Sequence, residues 1–112
     1  MARIKIIQIQ CSTLESIGNI TNDARAIVSK VCLGVDDMKL LGNKALVLRA
    51  EIYPDRLLTL YENLASIGVK LNQKDLPDIE LLSKETEYPL SIQIVSFSDD
   101  TDRSASIPKV PG

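Results

Sequence analysis

The chain has 112 residues, 13 basic and 15 acidic side chains, a formal net charge of −2 and 45% apolar residues, which is the balance of a globular chain and not of a disordered or fibrous one. It contains no histidine, so the imidazole base, the Ser-His-Asp triad, the His-containing zinc site and the histidine pH switch are all excluded. A length of this order points to one domain, here residues 1–98, with residues 99–112, which carry Pro108 and Pro111 and no hydrophobic period, expected to form a mobile tail.

The N-terminal run Arg3-Ile4-Lys5-Ile6-Ile7 mixes charge with isoleucine, and Gln8 and Gln10 interrupt it before the roughly 7 to 15 apolar residues of a signal-peptide core are reached. No apolar stretch approaches the ~20 residues of a membrane span, so the expectation is a cytoplasmic chain with no membrane contact. Residues 3–10 read as a strand. Ser12-x-x-Glu15 has capping-box spacing, and Ile17, Ile20, Ala24, Ile27, Val28 and Val31 follow at helical intervals. Gly18 and Asn19 weaken the first turn and move the expected helix start toward Thr21. Gly42-Asn43, between Leu40-Leu41 and Ala45-Leu46, predicts a hairpin that leads into a strand over Lys44 to Tyr53. Pro54 suits a first helical turn, Leu57, Leu60, Tyr61, Leu64 and Ile67 make an apolar stripe, and Gly68 is placed to end the second helix. Val69-Lys70-Leu71, a short apolar piece Ile79 to Leu82 and a turn around Lys84 to Glu87 precede a last strand, Leu90 to Ser98.

The chain also resembles itself. At an offset of 41 residues Ile6-Ile7-Gln8-Ile9-Gln10 falls on Val47-Leu48-Arg49-Ala50-Glu51, and Asp37-Met38-Lys39-Leu40-Leu41 on Asp78-Ile79-Glu80-Leu81-Leu82. Each half reads strand, helix, strand, which predicts two βαβ units. The last strand copies the first, with Ile92-Gln93-Ile94-Val95-Ser96-Phe97-Ser98 matching Ile4-Lys5-Ile6-Ile7-Gln8-Ile9-Gln10, including an adjacent apolar pair where alternation slips. In a split βαβ sheet the first and last strands are neighbours.

Charge is uneven along the chain. Residues 1–74 carry 10 basic and 7 acidic side chains, and residues 75–112 carry 3 basic and 8 acidic ones. The second set comprises Asp75, Asp78, Glu80, Glu85, Glu87, Asp99, Asp100 and Asp102, a candidate edge for steering a cationic partner. The isolated glycines write no phosphate-binding loop. Asp36-Asp37 and Asp99-Asp100-x-Asp102 have oxygen ligands suited to a hard cation but not the spacing of a calcium loop, so no metal and no cofactor is expected. The serines lack an activating base, and the first two long strands carry no aromatic platform before Tyr53, which argues against both an enzyme and a nucleic-acid binder. Cys11 and Cys32, 21 residues apart and outside any C-x-x-C spacing, read as buried thiols.

Residues Ala45 to Leu71, with Tyr53-Pro54-Asp55-Arg56-Leu57-Leu58 leading a helix that closes in Ile67-Gly68-Val69-Lys70-Leu71, resemble the strand, loop, helix, Gly, strand unit of ACT-type regulatory domains. That resemblance implies a ferredoxin-like fold, side-by-side pairing as a homodimer, and binding of a small effector such as an amino acid at Tyr53, Pro54, Asp55 and Arg56. The chain departs from it at Asp55, where ACT loops commonly have glycine. In general character the chain is also similar to bacterial immunity proteins, small acidic inhibitors that cover a toxin, often a basic nuclease. The expected fold is an α+β ferredoxin-like sandwich, a four- or five-stranded mainly antiparallel sheet with two helices on one face. The expected function is stoichiometric, non-catalytic binding of a basic protein partner, with the effector-binding dimer as the alternative.

Overall fold

The structure is a computed structural model that describes residues 6–72 and 82–97. Strand β1 (Ile7–Thr13) leads into helix α1 (Ile17–Val31). A hairpin of β2 (Asp37–Leu41) and β3 (Ala45–Ile52) follows, then a 3-10 turn (Pro54–Arg56) running into α2 (Leu57–Ser66), and finally β4 (Val69–Leu71) and β5 (Tyr88–Ser96). The five strands form one sheet in the order β2-β3-β5-β1-β4. All pairings are antiparallel except that of β1 with β5. This is an α+β, ferredoxin-like arrangement, and two βαβ units, β1-α1-β2 and β3-α2-β4, are visible in it. Leaving out β5 gives the split order β2-β3-β1-β4, and β5 enters at its centre.

Alternation explains how the sheet is sheltered. In β1 Ile7, Ile9, Cys11 and Thr13 are buried while Gln8 and Gln10 are exposed, and in β3 Leu46, Leu48, Ala50 and Ile52 are buried while Arg49 and Glu51 are exposed. The register brings the buried sets into rows: Ile9 lies beside Ile92, which lies beside Leu48, and Cys11 beside Ile94, which lies beside Leu46. The helices seal this face with Ile17, Ile20, Ala24, Val28 and Val31 from α1 and Leu57, Leu60 and Leu64 from α2. Burying such side chains contributes about 1.5 to 3 kcal/mol each before the entropy cost of ordering them. The opposite face is open and carries Gln8, Gln10, Arg49, Glu51, Ser91 and Gln93.

Several element boundaries differ from the sequence expectation. Among the described residues strand β1 begins at Ile7, with Ile6 exposed, and it runs on to Thr13 because its backbone stays paired with β5 as far as Ser96; residues 3–5 of the expected strand lie outside the described residues. Ile7 stands beside Leu90 and not Val95, so the copied pattern of first and last strands does not set their register, although the two strands are neighbours. Ser16, not Ser12, caps α1: its Oγ accepts from the Asn19 N–H at 3.3 Å, Ser12 lies within β1, and the helix starts at Ile17 despite Gly18 and Asn19. The second βαβ unit closes with Val69–Leu71, so the 41-residue offset fails at that strand. Of the piece Ile79 to Leu82 only Leu82 is described, and it is buried. The tail 99–112 lies outside the described residues. Gly42 turns the hairpin at φ 62°, and Gly68 ends α2 at φ 88°, a conformation that an L side chain adopts only with strain. Pro89, which donates no hydrogen bond, is tolerated in the central strand because it precedes the start of pairing with β1.

Candidate functional site

The end of the sheet where β3 leaves and β5 enters gathers the loops that carry charge. The register places Ile52 opposite Tyr88 and Glu51 opposite Pro89. The segment after α1 is drawn to the same end by two backbone bonds, Leu33 N–H to the Glu51 carbonyl at 2.9 Å and Asp36 N–H to the Arg49 carbonyl at 2.8 Å. Asp36, Asp37, Glu51, Asp55, Glu85 and Glu87 are exposed there, with the exposed Arg49, Arg56 and Lys84 among them. Carboxylates outnumber basic groups at this end. A cleft of about 400 Å³ opens beside β3 and β5, lined by Gln8, Asp36, Asp37, Arg49, Glu51 and Ser91 with Ile6 and Pro89.

One side-chain hydrogen bond ties the loops together. The Tyr53 hydroxyl donates to Glu87 Oε2 at 3.1 Å. This bond, then the charge of the same carboxylate, then slight desolvation hold the Tyr53 phenol above its ordinary value. On the β5 side the turn closes on itself: the Ser83 N–H donates to the Tyr88 hydroxyl at 2.9 Å, and the Thr86 N–H to the Ser83 carbonyl at 3.2 Å. The bond from Tyr53 therefore joins the two sets of residues singled out in the sequence, one from the loop before α2 and one from the acidic set.

Of that acidic set, Glu85 and Glu87 are described and exposed, and Asp75, Asp78, Glu80, Asp99, Asp100 and Asp102 lie outside the described residues. Of the other set, Pro54 is buried at the start of its 3-10 turn, Tyr53 is half-buried, and Asp55 and Arg56 are exposed. Arg49, Glu51, Asp36 and Asp37 join the acidic end without having been assigned to it from sequence. The outward positions of Arg49 and Glu51 were available in the alternation of Leu46 to Ile52, but their places opposite Ser91 and Pro89, on the strand that follows the Glu87 turn, depend on β5 lying beside β3. Among the described residues no group of three or more Cys, Asp or Glu side chains is placed to hold a metal ion.

The nucleophile candidates are packing groups. Cys11 and Cys32 are buried and form no disulfide. Desolvation pushes both thiols up to about 12, with the Arg56 charge acting weakly in the other direction on Cys32. Burial, with a smaller contribution from Cys11, pushes Tyr61 up to about 12 as well. These groups stay protonated at neutral pH, and a protonated thiol is a poor nucleophile. Among the described residues no helix is long and apolar enough to cross a membrane. Comparison of the chain with protein-family models, with curated proteins and with solved structures finds no match.

Proposed function

We propose that the chain is a non-catalytic module that binds a cationic protein surface through the carboxylate-rich end of its sheet, in the manner of an immunity-type inhibitor of a basic toxin. The observation that carries this reading is the meeting at one end of the sheet of two segments that bear exposed carboxylates, Glu51 and Asp55 on one and Glu85 and Glu87 on the other, joined by the Tyr53–Glu87 bond. Carboxylates clustered on a scaffold steer an oppositely charged partner and pair with it at low entropic cost, because the scaffold already fixes their spacing. The absence of histidine from the sequence and the protonated state of both thiols support a role in binding over one in chemistry.

The test compares the native chain with a variant carrying Glu51→Gln, Asp55→Asn, Glu85→Gln and Glu87→Gln as baits in a lysate of the source cell, washed at low and then moderate salt. The expected result is a basic protein held near one to one by the native bait, released by salt, and lost from the variant. Equal retention by both baits with the same salt dependence would reject the assignment of these carboxylates.

A further inference from the structure

Strand β2 forms one edge of the sheet and is exposed along its whole length, Asp37 to Leu41. Its only extensive packing among the described residues is against β3, and neither helix packs extensively on it. Met38 and Leu40 pair with Leu48 and Leu46 and so continue the helix-covered face, yet they are 36% and 51% exposed. The buried row Ile9, Ile92, Leu48 therefore runs out to Met38 and stops at solvent. An edge strand of this kind offers a row of backbone groups for pairing together with uncovered apolar side chains, and it contains no proline to block pairing.

We propose that β2 pairs antiparallel with β2 of a second copy of this chain, on a two-fold axis through Met38, to make a continuous ten-stranded sheet. Charge selects both the occupant and the register. A two-fold axis perpendicular to the sheet keeps the helices of both copies on the same side and sets like-facing residues opposite one another. Centred on Lys39, it would oppose two lysines, and centred on Asp37, two aspartates. Centred on Leu40 or Leu41, it leaves Lys39 facing an uncharged residue. Centred on Met38, it sets Asp37 of each copy against Lys39 of the other, twice, on the open face. On the covered face the row Ile9, Ile92, Leu48, Met38 then meets its own mirror sequence at Met38. Asp37, already opposite Arg49 within its chain, stands between two cations. Cross-strand pairs of opposite charge stabilise a sheet and like charges destabilise it.

Analytical ultracentrifugation over a concentration series tests this, with thermal melts to establish that each variant is folded. Lys39→Glu leaves the Asp37–Arg49 pair in place and sets the introduced carboxylate against Asp37 of the second copy, so its dimer dissociation constant rises by about tenfold or more. Asp37→Lys behaves likewise. An equimolar mixture of the two variants regains the dimer, because each copy then carries the charges the other lacks, and the double swap Asp37→Lys with Lys39→Glu regains it alone. A native chain that stays monomeric at its highest soluble concentration overturns the proposal, as does a dimer indifferent to both substitutions.

Discussion

At the scale of single residues the structure assigns different work to its titratable groups. Tyr53 donates to Glu87, and ionising the phenol would remove the bond and set two anions together. Glu87→Gln keeps an acceptor but removes the charge, so the Tyr53 phenol titrates closer to its ordinary value, as an ultraviolet pH titration of the native and variant chains reads directly. An unchanged titration would mean that the bond does not persist in solution. Because the folded phenol is raised, its contribution to stability is present below the ordinary phenol range near pH 10 and is lost as pH rises through the folded value. The same sign holds for Cys11 and Cys32, raised from 9.0 to about 12, and for Tyr61, raised from 10.0 to about 12. Between about pH 9 and 12 the unfolded chain releases protons that the folded chain retains, so stability measured in urea falls with pH across that window. In a Cys11→Ala, Cys32→Ala variant the fall is shallower, whatever the variant's stability at pH 7. A native chain with flat stability from pH 9 to 11 would show that these groups are not buried as described.

At the scale of elements, the helix start separates what local sequence specifies from what packing decides. Two serines compete as caps for α1. Ser12 has the better local signature, with Glu15 three residues on, yet β1 extends through it and takes its backbone into the sheet opposite Lys70 and Val95. Ser16, three residues beyond the end of β1, caps the helix instead. Ser16→Ala costs about 1 kcal/mol of stability in urea denaturation, whereas Ser12→Ala stays within about 0.5 kcal/mol, as a side chain on the open face should. The reverse ranking would restore the capping box. Elements bounded by their own punctuation were legible: the hairpin at Gly42-Asn43, and the second helix between Pro54 and Gly68. The C-terminal limit of β1 was not, because the alternation gives way after Gln10 and only the pairing of Cys11, Ser12 and Thr13 with Ile94, Val95 and Ser96 shows that the strand goes on. Strand β4 has three residues, too few for a period, so the 41-residue self-match placed the closing strand of the second unit too late. In the candidate site, Glu85 and Glu87 stood out as part of a charge cluster. Their link to Tyr53, 34 residues from Glu87 in the chain, follows from the β3–β5 pairing, which periodicity does not encode.

For the whole molecule, the placement of β5 governs both the core and the charged end. Among the described residues it is the last strand in sequence and the middle strand of the sheet, bonded along β1 on one side and β3 on the other. Leu90, Ile92 and Ile94 are consequently buried between neighbours from both βαβ units, and the turn before Tyr88 is what carries Glu87 to Tyr53. A strand that joins both units from the C-terminal end makes the sheet depend on contacts between residues distant in sequence, which slows folding relative to local hairpin and helix formation. The energetic consequence is an asymmetry between centre and edge. Ile92 is fully buried beside Ile9 and Leu48, so Ile92→Ala removes methyl groups and leaves a cavity that the two flanking strands cannot close; the expected loss is about 2 to 5 kcal/mol. Met38 lies in the same row, two strands away, but at an open edge where solvent or a second copy refills the space, so Met38→Ala measured on the dilute monomer costs less than about 1 kcal/mol. Urea denaturation of both variants at low protein concentration gives the comparison. Equal losses at the two positions would place β5 at an edge and the acidic end with it, whereas a loss several-fold larger at Ile92 fixes β5 at the centre, where it holds the Glu87 turn against Tyr53.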